Sequence, residues 1–376
     1  MPQYKILILT APSGHLTQAR AVKSYLEDIP GVSITTLDLV SERIEWAAFR
    51  LMYRYFPFLM RVPFEFTRNP FTFKIVKNSN IQRFKELLPS ILEKENPDLV
   101  ITTYHGYIPV LDQVRDRFKF KYVNSITDPI TFHPILFSQA ADFNIAFSSS
   151  CREYALRLNI SPEKIVPAGW LTTKCFFEPQ PLEAIRQSLG LKDRLTLLIS
   201  AGSEGSYAIL NLLPVLFFTR HPEPFQLIFI TGHNHTLANT IRRMYRLASR
   251  VNPRLPFIIV QEFTDKMHEF MAVSDAVIGK AGPNLIFESV ASGKPFIAIT
   301  HLSGNEDGNL AMINENNLGW VAENPFSASK LIQGFIRNPS ILTHKTQDLG
   351  QIADKCYQCG LFLREKVLEW GNHNLS

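Results

Sequence analysis

The strongest constraint on this chain is an alternation of short apolar runs with stretches of helical periodicity. "YKILILT" (4–10), "VSITTLDLV" (32–40), "PDLVITTY" (97–104), "KYVNSITD" (121–128) and "FNIAFSS" (143–149) make one set. "LTLLIS" (195–200), "FQLIFITG" (225–232), "PFIIVQEF" (256–263), "DAVIGK" (275–280) and "PFIAIT" (295–300) make a second. Strands that alternate with helices predict parallel sheets joined by right-handed crossovers. Between the sets, the Pro-punctuated stretch "VPAGWLTTKCFFEPQPLEAIRQSLGL" (166–191) breaks the pattern and reads as a connector. The expected fold class is therefore α/β, with two doubly wound, Rossmann-like domains facing a cleft. The expected divisions are a first domain over 1–168, a linker over 169–192, a second domain over 193–345, and a helical tail over 346–376 lying back on the first domain.

A length of 376 residues suits two domains of ordinary size. No window reaches the roughly 18 uninterrupted apolar residues of a membrane-spanning helix. The opening "MPQYKILILTAPSGH" reads as a first buried strand rather than a signal peptide, so the expected location is the cytoplasm. Of four cysteines, Cys356 and Cys359 in "CYQC" have zinc-ligand spacing without a second pair. Reduced thiols on a helix are the expected state, and no metal site is assigned.

The formal net charge is +5, and residues 46–77 alone carry that much: Arg50, Arg54, Arg61, Arg68, Lys74 and Lys77 against Glu65. The same window holds ten aromatics, among them Trp46, Phe49, Tyr53, Phe56 and Phe58. On a helix, Trp46, Phe49, Tyr53 and Phe56 share one stripe, with Arg43, Arg50 and Arg54 on another beside it. Pro57 and Pro63 are expected to break this helix into short pieces. Aromatics flanked by arginines suit the headgroup layer of an anionic membrane. Core packing and single-stranded nucleic-acid stacking are the alternatives, and nucleic acid is not the expected partner.

Several loops at strand ends carry polar chemistry. "AGSEGS" runs from a strand into the expected helix "YAILNLLPVLF", and its Gly202 and Gly205 permit a close backbone approach to an anion, or simply a tight turn. In "KAGPNLIFESVASGKPF" (280–296), Asn284 is expected to cap a helix that Gly293 and Pro295 close. Glu288 lies one turn beyond Asn284 among Leu285, Ile286, Phe287, Val290 and Ala291; such an acid can accept bonds from vicinal ribose hydroxyls. "HLSGNEDGN" gathers Asn305, Glu306 and Asn309 at another strand end, suited to sugar hydroxyls or to a solvated loop. In the first half, His15, His105 and the Thr127–Asp128 pair end strands, and a histidine there is a candidate general base.

Together these motifs resemble the monogalactosyldiacylglycerol synthase and processive diacylglycerol glucosyltransferase group of glycosyltransferase family 28. The most specific part is Glu262 to Asn309: Phe263-Thr264, Met267, Lys280-Ala281-Gly282-Pro283, Glu288 and the "SGNEDGN" loop follow the family's order and spacing. "AGSEGS" (with Ser203, Glu204 and Ser206) is similar to its phosphate loop, "TGHN" with Gly232 and Asn234 to its Gly-x-Asn turn, and "TDPITFHP" to its Thr-Asp and His-Pro positions, the last including His133. The resemblance implies a GT-B fold that binds a UDP-hexose in the second domain and a diacylglycerol-type lipid in the first. It implies Phe263 near the uracil, Glu288 on the ribose, Gly202 to Ser206 near the diphosphate, and Asn305 with Glu306 on the sugar. It also implies an inverting displacement, with His15 or Asp128 as base and no cofactor beyond the UDP-sugar co-substrate. Trp46, Phe49, Arg50, Tyr53, Arg54, Phe56, Phe58, Arg61, His105 and His133 fall to the acceptor or membrane side, so the enzyme is expected on the inner face of a membrane. The chain departs from the pattern in three places. The first loop, "TAPSGH", has Thr10 and Ala11 where an Asp is expected, Leu285 replaces a Thr, and Asn305 replaces a Gln. The acceptor alternatives are another lipid, a nucleotide-sugar epimerisation, or a binding homologue without turnover. Donor sugar and oligomeric state stay open.

Overall fold

The computed structural model describes residues 3–41 and 44–375, apart from the side chains of residues 44–49, 70 and 372–375. Among these residues there are two six-stranded sheets. The first contains β1 (Tyr4–Thr10), β2 (Val32–Asp38), β3 (Leu99–Thr102), β4 (Lys121–Ser125), β5 (Phe143–Ile145) and β6 (Ile165–Val166), in the order β2-β1-β3-β4-β5-β6. The second contains β7 (Thr196–Ser200), β8 (Gln226–Ile230), β9 (Phe257–Gln261), β10 (Ala276–Lys280), β11 (Phe296–Thr300) and β12 (Gly319–Val321), in the order β12-β11-β10-β7-β8-β9. Every ladder is parallel. The short edge strands β6 and β12 escaped the sequence reading because two or three residues give no periodicity to detect.

The chain divides into two compact units, one of residues 1–46, 61–174 and 355–376, the other of 47–60 and 175–354. In the first unit, β1 is buried on both faces, as parallel sheets require. Ile6 and Ile8 pack against Val22 and Leu26 of the Gly14–Leu26 helix. Leu7 and Leu9 face the other way, toward Phe84, Leu88 and Leu92. In the second unit Leu197, Ile199, Leu227, Phe229 and Ile278 gather under the helices Leu213–Phe218, His235–Ala248 and Pro325–Arg337.

Local chemistry corrects several helix expectations. Residues 70–95 form two helices, Pro70–Phe84 and Leu87–Glu95. Asn69 caps the first by accepting from the Phe71 amide, and Pro70 takes N1, where its missing N–H costs nothing. The aromatic-basic stretch forms a helix over Ile44–Tyr55, a 3-10 turn over Pro57–Met60, and a helix over Arg61–Arg68. Pro57 ends the first, but Pro63 sits within the first turn of the last and does not break it. The glycine loop after β7 leads into a 3-10 stretch, Tyr207–Leu212, and the α-helix starts only at Leu213 with Pro214 in its first turn. Gly282, not Asn284, precedes the Pro283–Ala291 helix, because Pro283 favours N1.

The long C-terminal helix, Gly350–Leu375, contributes Cys359, Leu363 and Val367 to the first unit's core. Arg364 donates to the Tyr25 carbonyl at 2.6 Å and pairs with Asp28, whose carboxyl it holds below the usual range. Gly360 allows the closest approach: a Cβ there would lie 2.1 Å from the Tyr25 ring. The Gly360→Ala variant is expected to lose about 1–3 kcal/mol of stability by overpacking, read as a lower urea midpoint at unchanged slope.

Candidate active site

In open α/β sheets, ligands bind beyond the carboxyl ends of the strands, where the strand order reverses. In the second sheet the order runs outward from β7 through β8 to β9, and then resumes on the other side with β10. The loops at that reversal are Ala201–Ser206 and Ala281–Pro283, the two glycine turns singled out above. Gly202 and Gly205 have φ of 73° and 74°. A Cβ on Gly205 would strike Asn234 and the Thr231 carbonyl at 2.2 and 2.6 Å, and one on Gly232 would strike the Ser203 and Gly202 carbonyls. The loops after β7 and β8 are thus held backbone to backbone. His233 N donates to Ser203 O at 2.9 Å, and Asn234 Nδ2 to Gly205 O at 2.8 Å. Asn234 also caps the His235–Ala248 helix by accepting from Leu237 N at 3.0 Å.

Lys280, at the end of β10, is 8% exposed and forms an ion pair with Glu306, itself 6% exposed. Glu306 also accepts from the Leu302 amide at 2.7 Å. A buried pair needs further hydrogen bonds to its remaining lone pairs, and this amide supplies one of them. Asn309 donates to the Ala281 carbonyl at 2.8 Å, tying the loop after β11 to the turn after β10. Asn284, Asn305 and Glu288 are half-buried around the same turns. Glu288 is close enough for its charge to help push the Cys175 thiol up to about 11, behind the larger effect of burial. Phe263 stacks on His233 with ring centres 4.3 Å apart and planes 12° off parallel. Ser206 accepts from the Ala208 amide at 3.3 Å, and Met267 opens a short helix, Met267–Ala272.

The first sheet has its own reversal, between β1 and β3. His15 sits on the Gly14–Leu26 helix just after β1, and His105 just after β3. The His15 Nδ1 lies 2.6 Å from the Thr103 carbonyl, which can only accept, so Nδ1 carries the proton and Nε2 keeps its lone pair. Thr103 donates its hydroxyl to Thr10 at 2.8 Å and lies 3.1 Å from the His15 carbonyl. The His15 ring meets Tyr104 at 5.1 Å and His105 at 5.8 Å. Burial pulls His15 down to about 4 and His105 to about 3, the latter further lowered by the fields of His15 and His133. His133 is lowered by burial and lies between Phe64 and Phe73, 6.0 and 5.7 Å from their ring centres. Three neutral imidazoles thus share one region of the first unit. Asp128 is half-buried in the loop after β4.

Residues 15–170 match the monogalactosyldiacylglycerol (MGDG) synthase family, and residues 196–334 match the glycosyltransferase family 28 C-terminal domain. Each match covers less than half of the chain, and together they follow the order in which the sequence motifs occur. A probable MGDG synthase from Nicotiana tabacum is 28% identical over 352 residues, 88% of this chain and 64% of the relative. The chain therefore spans about two thirds of the length of the curated relatives it matches. Two solved structures share the GT-B fold. Acinetobacter baumannii MurG has 16% identity and a TM-score of 0.58, covering 98% of this chain and 100% of its own. Anabaena HepE in complex with UDP has 13% identity and a TM-score of 0.58, covering 98% and 99%.

In the second unit, the structure gathers most of the expected site residues around two glycine turns. The aromatic-basic residues divide instead. Tyr53 is 4% exposed, whereas Phe56 and Phe58 are 47% and 61% exposed, and Arg50 and Arg61 are exposed. The single aromatic stripe therefore fails as a common outward face: the helix stops at Tyr55, and Tyr53 turns inward. The side chains of Trp46 and Phe49 lie outside the described residues. Sequence reasoning missed Thr10, Thr103 and Tyr104, whose roles depend on β1 and β3 being neighbours. Among the described residues, no group of three or more His, Cys, Asp and Glu is arranged to hold a metal ion. Cys356 and Cys359 are fully buried, which pushes the Cys356 thiol up to about 12 and leaves both unreactive.

His15 has a folded pKa below its unfolded value, so the unfolded chain binds more protons between about pH 4 and 6.5. Stability from this group is present above pH 6.5 and is lost as pH falls toward 4. Imidazole NMR is expected to show His15 neutral until about pH 4, and His15→Gln to reduce the acid-side loss of stability. A His15 midpoint near 6.5 contradicts its desolvation.

Proposed function

We propose that this chain is an inverting hexosyltransferase. It moves galactose or glucose from a UDP-sugar to a diacylglycerol-type lipid while attached peripherally to the inner face of a membrane. The observation that carries the reading is the fixed, neutral imidazole of His15: Nδ1–H is committed to the Thr103 carbonyl, and Nε2 is left as a proton acceptor. In the reaction, the acceptor hydroxyl oxygen bonds to the anomeric carbon as the bond from that carbon to the diphosphate oxygen breaks. The hydroxyl proton passes to His15 Nε2, UDP leaves with the electron pair, and the configuration inverts. Asp128 is the alternative base.

On the donor, Phe263 takes the uracil, its stacking on His233 giving it a fixed plane. Glu288 takes the ribose hydroxyls, and the Gly202–Ser206 turn with the start of the Pro283–Ala291 helix takes the diphosphate charge. Gly232, Asn234 and Met267 shape this pocket, while Lys280, Ala281, Gly282 and Asn309 fix its floor. Asn305 reads the sugar. Glu306, held by Lys280 and the Leu302 amide, does so with the acceptor capacity that its carboxylate has left. The reading calls on no metal ion. For the acceptor and its membrane, Arg50, Arg61, Phe56 and Phe58 supply exposed charge and apolar surface, and His105 and His133 line the acceptor side with Phe73. No helix among the described residues is long and apolar enough to cross a membrane.

Radiolabelled UDP-galactose and UDP-glucose, offered with anionic vesicles containing diacylglycerol, test the reading. Labelled glycolipid is expected from one of them. His15→Ala should cut kcat about 10²–10⁴-fold while Asp128→Asn is milder, and the reverse order transfers the base to Asp128. UDP binding with no product from any acceptor refutes the transferase reading. For the membrane, the Phe58→Glu, Arg61→Glu double variant is expected to lose sedimentation with anionic vesicles; wild-type sedimentation by that variant removes the segment from the contact.

A further inference from the structure

Residues Ala47–Met60 cluster with the second unit, although the chain reaches them between strands of the first. The segment has an inward and an outward side. Inward, the Tyr53 ring carries the Lys280 ammonium 5.2 Å from its centre, and its hydroxyl reaches the phosphate-loop turn: a Cβ on Gly202 would lie 2.4 Å from that oxygen. Arg54 donates Nε–H to the Glu204 carbonyl at 2.6 Å and reaches the His233 carbonyl at 3.5 Å. The Tyr55 ring lies 4.9 Å from Tyr207, and the Pro57 carbonyl accepts from the Ser303 amide at 3.3 Å. Four residues, Tyr53, Arg54, Tyr55 and Pro57, are thus fastened to the segments after β7, β8 and β11 and to the buried cation at the end of β10. Outward, Leu51, Tyr55, Phe56, Phe58 and Leu59 are 40–61% exposed.

Tyr53 occupies the space between Gly202 and Lys280. In the reading above that space belongs to the diphosphate and sugar of the donor, and two groups cannot share it. The phenol also imitates a ligand there, with its π face to an ammonium and its hydroxyl to a glycine-loop backbone. Lys280 keeps Glu306 as partner when the ring departs, so release strands no buried charge. We propose that Tyr53 is an internal occupant of the donor subsite and that residues 47–60 are an autoinhibitory strap, released when its outward apolar residues enter an anionic bilayer. Arg50 and Arg54 give the strap the charge that such a surface attracts, and Arg54 exchanges carbonyl partners for lipid phosphates on release. Donor affinity is then reduced by the fraction of open molecules, and a bilayer restores it. This rests on the donor assignment proposed above.

The test measures UDP affinity by calorimetry on the full chain, wild type and Tyr53→Ala, with and without phosphatidylglycerol vesicles that contain no acceptor. Without vesicles, Tyr53→Ala is expected to bind UDP about tenfold tighter or more, as for a closed fraction near nine-tenths. Vesicles are expected to tighten the wild type to the variant's level and leave the variant unchanged. Hydrogen exchange on the unmodified protein gives a readout independent of any variant: UDP or vesicles should each raise exchange in 51–60. Weaker UDP binding by Tyr53→Ala, or protection of 51–60 by UDP, makes Tyr53 a donor ligand and overturns the strap. Equal binding by both proteins overturns the strap alone. UDP bound by neither, with or without vesicles, overturns the donor assignment on which the strap rests.

Discussion

The constraint on which everything else depends is the reversal of strand order in each sheet. A right-handed crossover places successive helices on one face until the chain reverses, and at the reversal two neighbouring loops diverge. That divergence lies between β1 and β3 in one sheet and between β7 and β10 in the other. It leaves strand-end carbonyls and amides uncovered there. His15 with Thr103, and Gly202 with Lys280, stand at those two places because the topology puts them there. Neither pair is close in sequence.

Burial then sets the chemistry of each place. In the first unit it withdraws water from His15, His105 and His133 and keeps them neutral, as a base must be to receive a proton. In the second unit the same withdrawal is offset by pairing. Lys280 and Glu306 stay together beneath Tyr53, with the Leu302 amide donating to the second carboxylate oxygen. Removing either partner alone leaves a charge without water or counter-charge, which costs several kcal/mol in such pairs. A site arranged this way holds its cation in place at the cost of leaving it already engaged.

The glycine turns were legible as turns because Gly-rich strand ends have few other uses, and Glu288 stood out as an acid among apolar neighbours. The helix starts were less legible. Asn284 has the chemistry of a cap, yet Pro283 claims the first helical position and moves the boundary. Tyr53 was misleading for a different reason. Its stripe-mate Phe56 is exposed, and periodicity along one helix cannot reveal that Pro57 ends it or which unit it packs on.

By itself the sequence determined the α/β class, ten of the twelve strands among the described residues, and the motifs that resemble those of family 28. These follow from local periodicity and from residue types with narrow conformational or chemical uses. Only the tertiary structure decided which lone pair of His15 is available, that Glu306 is already held by Lys280, and that Tyr53 turns away from the exposed aromatics. Those outcomes depend on contacts across 26 to 227 residues of chain, where burial and partner choice are properties of the packed sheet and its loops and leave no local pattern to read.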